Sequence, residues 1–213
     1  LTDEYTGFKW IANRIRMWEG KRKYIGGGEE SFGFLPYDAV RDKCSPSAIC
    51  LICEIAAYAK DNGMTLYDYL LKIYEDYGFQ KETTINVVRP GKTGAEEIQA
   101  MMKNYRENPP KEIAGEKVIK IKDFKLLEQK KWENGKWENE KIEMPLNATS
   151  NVLQYFTEGG LKVSVRPSGT EPKIKFYFEI PVKSGKPFTG ADYERCTAEA
   201  EARVPAIKAS LGL

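Results

Sequence analysis

The chain has 213 residues, 41% of them hydrophobic and 30% charged, which suits one large domain or two small ones with a buried core. Its 33 Lys and Arg against 31 Asp and Glu leave a formal charge of +2, without the concentrated basic excess of a general nucleic-acid binder. There is no histidine, so Ser-His-Asp triads, Cys-His dyads and His-ligated zinc are excluded, and acid–base work falls to Asp, Glu, Lys, Tyr or Cys.

The chain starts at Leu1 rather than Met, on what reads as the interior of a domain, and no leading segment has the pattern of a secretory signal. Gly7-Phe-Lys-Trp-Ile11 has the aromatic and β-branched content of a strand. Gly20 to Lys23 turns the chain, and the short basic cluster Lys21-Arg22-Lys23 reads as a solvated loop. Gly26-Gly27-Gly28 then opens a loop that continues through Glu29-Glu30-Ser31-Phe32-Gly33. Ser45 as N-cap and Pro46 at the first helical position start a helix over 46–61, apolar on most faces and therefore expected to be buried. Asn62-Gly63 ends it. Thr65 and Asp68 form a capping box for the next helix, with an apolar stripe of Leu66, Tyr69, Leu70, Ile73 and Tyr77.

Thr83 to Val88 reads as a strand and Arg89-Pro90-Gly91 as a break, which places a domain boundary near residue 90. Gly91-Lys92-Thr93 is not the end of a Walker A loop, because Asn86 stands where that loop needs its first glycine. Beyond the break come a helix over 95–107, a strand over 117–121 and a charged stretch with Asn134-Gly135 as a hairpin turn. Strands over 151–156, 161–166 and 173–180 follow, and then a final helix from about 190, which Pro205 should kink or interrupt. The longest apolar run, Ala48 to Cys53, is far short of the roughly 20 residues of a membrane helix. Cys50-x-x-Cys53 lies in that apolar helix without a second pair, so the cysteines read as buried, reduced thiols of a cytosolic protein rather than as a metal site.

Three segments carry chemistry. Arg166-Pro167-Ser168-Gly169-Thr170-Glu171-Pro172 lies between two strands: Arg166 offers a planar fork for phosphate oxygens, Ser168 and Thr170 offer hydroxyls, and Gly169 offers an exposed amide. Lys175 follows on the same strand face as Lys173. The segment is a phosphate cradle or an ordinary hairpin connection. In Gly28-Glu29-Glu30-Ser31, a carboxylate with a neighbouring hydroxyl suits paired sugar hydroxyls, although two glutamates after glycines also make a plain polar loop. Arg41-Asp42-Lys43, ahead of the capped helix, adds a proton donor or an anion contact.

Together these segments resemble the α-D-phosphohexomutase family, and within it the phosphoglucomutase branch, over nearly the whole chain. Thr6-Gly7-Phe8-Lys9 looks like the sugar-phosphate-contacting strand and loop of the family's third domain. Gly28 to Gly33 looks like its sugar-recognition loop, in the Glu-Glu-Ser form of glucose-using members. Arg41-Asp42-Lys43 resembles its Arg-x-Lys element, although Cys44-Ser45 replaces the Asp-Gly that commonly follows. Arg166 to Thr170 looks like the phosphate-binding loop of the fourth domain, with Lys175 matching a basic position beyond it.

The resemblance implies an α/β part over 1–90, an incomplete third domain with a mixed sheet and helices. It implies an α+β C-terminal domain over 91–213 with a mostly antiparallel, TATA-box-binding-protein-like sheet. The implied sugar contacts are Thr6, Gly7, Glu29, Ser31 and Lys43, and the implied phosphate contacts are Arg166, Ser168, Gly169, Thr170 and Lys175. Lys43 would also assist proton transfer. The family's phosphoserine nucleophile and its Mg²⁺-binding aspartate cluster have no counterpart in this sequence, so no metal site is expected in this chain. The chain reads as a C-terminal piece of a cytoplasmic isomerase that interconverts glucose 1-phosphate and glucose 6-phosphate through glucose 1,6-bisphosphate. On this reading it is inactive alone, packs against the enzyme's N-terminal domains, and binds neither nucleic acid nor membrane. A mannose- or pentose-phosphate mutase and a non-catalytic sugar-phosphate-binding module stand as alternatives.

Overall fold

The computed structural model describes residues 4–29, 33–144, 148–169 and 171–213. The chain divides into two compact units, Leu1–Leu70 and Leu71–Leu213.

The first unit opens with helix α1 (Phe8–Trp18), where a strand was expected from residues 7–11. Phe8, Ile11 and Ile15 recur at helical spacing, and Gly7, at φ +112°, starts the helix in a backbone geometry that suits glycine. Phe8 and Ile15 are buried with Leu35, and Ile11 and Tyr24 pack against them. Strands β1 (Gly27–Gly28) and β2 (Phe34–Leu35) form a two-stranded antiparallel sheet. It is the only sheet among the described residues of this unit, in place of the mixed sheet expected there. Helix α2 (Ser45–Asp61) starts one residue earlier than its N-cap signal suggests: Cys44 is the N-cap, and Pro46 falls at the second position. Gly63, at φ +70°, ends it.

α2 is not buried. Ala59 alone in it is fully covered, while Ile49 and Ile52 are 60% and 48% exposed. A two-stranded sheet is too small to cover a 17-residue helix that is apolar on several sides. Cys50 and Cys53 are likewise exposed and Cys44 is half-buried, so only Cys196 fits the expectation of buried thiols. Helix α3 (Leu66–Tyr77) carries the predicted capping box, with the Asp68 amide donating to Thr65 Oγ1 at 3.1 Å and the Thr65 amide to Asp68 Oδ2 at 2.8 Å. Its buried side differs from the expected stripe. Leu66, Leu70, Ile73 and Tyr77 are exposed, and Leu71 and Tyr74 pack into the core of the second unit.

That second unit is built on strand β3 (Phe79–Val88), helix α4 (Gly91–Glu107), strands β4 (Glu112–Ile113) and β5 (Glu116–Asp123), and the hairpin β6 (Glu128–Glu133) and β7 (Lys136–Lys141). Strands β8 (Leu153–Thr157), β9 (Lys162–Pro167) and β10 (Lys173–Val182) and helix α5 (Gly190–Ser210) complete it. The sheet order is β3-β10-β9-β8-β5-β6-β7, with β4 on β5, and every pairing is antiparallel. Asn134 and Gly135 both take positive φ, as the predicted hairpin turn requires.

Alternation along β10 sends Ile174, Phe176, Phe178 and Ile180 to one face. There they meet Ile98 and Met102 of α4 and Cys196, Ala200 and Ile207 of α5. The two buried tyrosine hydroxyls are paired: that of Tyr105 donates to the Leu211 carbonyl at 2.7 Å, and that of Tyr155 to the Tyr105 carbonyl at 2.9 Å. Burial pushes the Tyr155 phenol well above its ordinary pKa. α4 begins earlier than expected, and Gly94 backs so closely onto the Arg89 carbonyl that any β-carbon there would clash. α5 runs through Pro205 without interruption, held by the buried residues on either side of it, Ala200 and Ile207. No described helix is long and apolar enough to cross a membrane.

Candidate functional site

In the first unit the β1–β2 hairpin brings the ends of the glycine-rich loop together, with the Glu29 amide donating to the Gly33 carbonyl at 3.0 Å. The Tyr24 hydroxyl braces β2 by donating to the Leu35 carbonyl at 3.1 Å, and burial raises its pKa, with Asp38 adding to the effect.

Gly33 is the point on which the candidate residues of this unit converge. A β-carbon placed there would lie 2.7 Å from Phe8 Cε2, 2.9 Å from Glu29 Oε1 and 3.1 Å from Lys43 Cδ. The Lys43 ammonium sits 5.4 Å from the centroid of the Phe8 ring and 3.6 Å from Asp42 Oδ1. Glu29 and Lys43 are thus neighbours across one glycine, and Phe8 links them to Gly7 and the exposed Thr6 at the start of α1. Ser31 lies outside the described residues. Arg41 is engaged elsewhere, in an ion pair with Glu19.

Beside this cluster a cleft of about 320 Å³ is lined by Gly33, Phe34, Lys43, Cys44, Ala48 and Ile52, among others. Cys44 holds the N-terminus of α2, and hydrogen bonding from Ser47 lowers its thiol pKa. Phe8 and Gly33 are absent from the residues that the sequence singled out as contacts. Their signal was the conformational freedom of a glycine and an apolar residue next to a polar motif, which sequence alone cannot separate from ordinary core and turn.

In the second unit the strands β9 and β10 present the other candidate loop. Arg166 stands directly opposite Lys175 in the ladder, and Pro167 opposite Ile174. The loop is closed by the Ser168 amide donating to the Lys173 carbonyl at 2.8 Å and the Glu171 amide to Ser168 Oγ at 3.3 Å. Lys173 is ion-paired with Glu171, whose carboxyl it holds below the usual range, and Lys175 adds a weaker attraction. Among the described residues, neither Arg166 nor Lys175 has a hydrogen-bond or ion-pair partner; Lys175 lies 5.9 Å from the Tyr177 ring. Gly169 is exposed with open space around it, and Thr170 lies outside the described residues. Like charges placed opposite each other on a strand pair destabilise it, and an anion between them reverses that sign.

Each set of candidates is therefore gathered within its own unit, Glu29 and Lys43 around Gly33 with Phe8, and Arg166 and Lys175 beside the loop at 168–169. Among the described residues no group of three or more His, Cys, Asp or Glu could hold a metal ion.

Comparison with known proteins places both units in one family. Residues 2–77 match the alpha/beta/alpha domain III of phosphoglucomutase/phosphomannomutase, and residues 85–185 match the C-terminal domain of the same family. A phosphoglucomutase of Staphylococcus aureus (strain MRSA252) is 38% identical over 175 residues, covering 82% of this chain and 31% of the relative. That of Staphylococcus haemolyticus is 36% identical over 176 residues, covering 83% and 31%. The chain thus spans 31% of the length of these relatives. The open form of the exocytosis-sensitive phosphoprotein pp63/parafusin from Paramecium, a phosphoglucomutase, superposes with a TM-score of 0.57 at 18% identity, covering 98% of this chain and 34% of that one, a likeness of fold.

Proposed function

Since the chain belongs to the phosphoglucomutase/phosphomannomutase family, we propose that it supplies the sugar-holding and phosphate-holding part of an enzyme that interconverts glucose 1-phosphate and glucose 6-phosphate. The observation that carries this reading is the Arg166 guanidinium, without a hydrogen-bond or ion-pair partner among the described residues, set opposite Lys175 beside an open glycine turn. We read domain boundaries near residue 90 and, for the helix-backed antiparallel sheet, a TATA-box-binding-protein-like architecture.

The reaction moves a phosphoryl group from an enzyme phosphoserine to the sugar, and the resulting bisphosphate reverses and returns its other phosphate to serine. A substrate must then be held in two opposed orientations. Arg166, Ser168, Gly169, Thr170 and Lys175 grip the phosphate that is not reacting, through charge-assisted and backbone hydrogen bonds worth about 1.5–3 kcal/mol each for the charged ones. Glu29 accepts hydrogen bonds from two sugar hydroxyls, and Ser31 supplies a third partner. These hydroxyls roughly exchange places when the sugar turns over, so one short loop serves both orientations. Thr6 and Gly7 border the sugar, and the Lys43 ammonium, next to Glu29, lends a proton or neutralises charge at the reacting end.

Mg²⁺, which the family uses, finds no ligand set among the described residues. The phosphoserine has no counterpart in this sequence either, so we propose that the chain alone does not turn over and that it works in the cytoplasm with the enzyme's other domains. The exposed apolar side of α2 supports that packing.

Titrating the chain with glucose 1-phosphate by amide NMR tests the reading. Shifts are expected at 28–29, 33, 43 and 166–169. The Arg166→Ala variant should lose those at 166–169, with binding weakened by about 2 kcal/mol. An unchanged response in Arg166→Ala would overturn the phosphate assignment.

A further inference from the structure

A third cation, Lys173, stands at the loop that follows Arg166. Lys173 and Lys175 are two residues apart on β10 and therefore share a sheet face. Lys175 pairs with Arg166, so Lys173 is the diagonal neighbour of Arg166, at a spacing of about 7–8 Å that long side chains bridge. Lys173 also forms the base of the loop, its carbonyl accepting from the Ser168 amide at 2.8 Å. Arg166 and Lys175 have no ion-pair partner among the described residues, whereas the Lys173 ammonium is paired with the Glu171 carboxylate.

Glu171 belongs to the same turn. Its amide donates to Ser168 Oγ at 3.3 Å, and its carbonyl accepts from the Lys173 amide at 2.7 Å. Its side chain is 59% exposed against 24% for that of Lys173, so the carboxylate is the outer member of the pair. A solvent-exposed ion pair adds little stability, and an anion of higher charge can take the carboxylate's place. Glu179, on the same face of β10, is engaged by Lys162 at 2.7 Å and lies four residues, about 13 Å, beyond Lys175. A phosphate monoester carries close to two negative charges at neutral pH and above. A sulfate ester carries one, no more than the carboxylate it would have to displace.

We infer that Glu171 is an internal counter-ion that a substrate phosphate displaces from Lys173, and that this exchange selects phosphate monoesters over singly charged anions. Lys173 then joins Arg166 and Lys175 on the phosphate, and the Glu171 carboxylate turns to solvent. The inference rests on the assignment of the loop at 166–169 to phosphate.

The test is an amide NMR titration of the 213-residue chain with glucose 6-phosphate and with glucose 6-sulfate, at about pH 8, where the phosphate is a dianion. The wild-type chain should bind the phosphate about tenfold more tightly than the sulfate. Lys173→Gln should weaken phosphate binding about fivefold, while Lys173→Arg retains it. Glu171→Gln should tighten sulfate binding about fivefold and phosphate binding less, and should lose that effect in the Lys173→Gln background. Arg166→Ala should weaken both ligands about thirtyfold. An Arg166→Ala chain that binds as the wild type does, or a wild type that binds neither ligand, would overturn the phosphate assignment and this inference with it. Weakening by Arg166→Ala but not by Lys173→Gln would overturn the counter-ion exchange alone. So would a Glu171→Gln gain that survives in the Lys173→Gln background, and equal gains for the two ligands would overturn the selection of monoesters.

Discussion

The two units spend similar apolar material in opposite ways. The second buries a cluster from Phe79 to Leu211 between a seven-strand path and two helices, with Tyr155, Phe176 and Phe178 inaccessible to solvent. The first buries Phe8, Ile15 and Leu35 as a cluster of three and leaves Ile49, Ile52 and Tyr58 of α2 exposed. A helix becomes core only where a surface exists to receive it, and a two-stranded sheet does not provide one. The candidate site residues follow the same division. Arg166 and Lys175 stand on strands of a well-packed sheet, whereas Glu29 and Lys43 depend on contacts around one glycine.

The contrast is broken most directly by Phe176→Ala. The ring is fully buried, so its removal should destabilise the second unit by about 3–5 kcal/mol. Hydrogen exchange should report lost protection along β9 and β10 with little change in α1. Equal loss in both units would mean that they fold as one cooperative block. Gly33→Ala acts on the other side of the comparison. The new methyl meets the buried Phe8 ring, which cannot swing away as the ends of Glu29 and Lys43 can. A cost of about 1–3 kcal/mol is expected, with glucose 1-phosphate shifts lost at 28–29 and 43 but kept at 166–169. Loss at both places would refute independent binding by the two loops. The smallest effect belongs to Ile52→Ser, on the exposed side of α2. Stability should stay within about 0.5 kcal/mol, and self-association measured by sedimentation should fall. A loss of several kcal/mol would show that Ile52 is covered.

Legibility in the sequence followed the range of the forces involved. Thr65 with Asp68, Asn62-Gly63 and Asn134-Gly135 act within four residues, and each stands where it was expected. Alternation along 173–180 was equally plain, because every second side chain of β10 is buried. The candidate phosphate loop stood out because its hydroxyl, guanidinium and glycine groups are nearly consecutive in the sequence. Residues 7–11 were misread because aromatic content outweighed the wider spacing of Phe8, Ile11 and Ile15. The α3 stripe was misplaced because an amphipathic pattern names a face only when the facing surface is known. Leu71 and Tyr74 found that surface, and Leu66 and Ile73 did not.

The sequence by itself therefore determined the helix and strand order of the second unit, the turns, and the residue types able to hold a sugar and a phosphate. These rest on backbone sterics, capping and side-chain chemistry, which act locally. Tertiary structure alone decided that Glu29 and Lys43 meet across Gly33, that Arg166 faces Lys175, and that α2 keeps its apolar side exposed. Each of these depends on ladder register or on the size of the surface available for burial, and neither quantity belongs to any short stretch of chain.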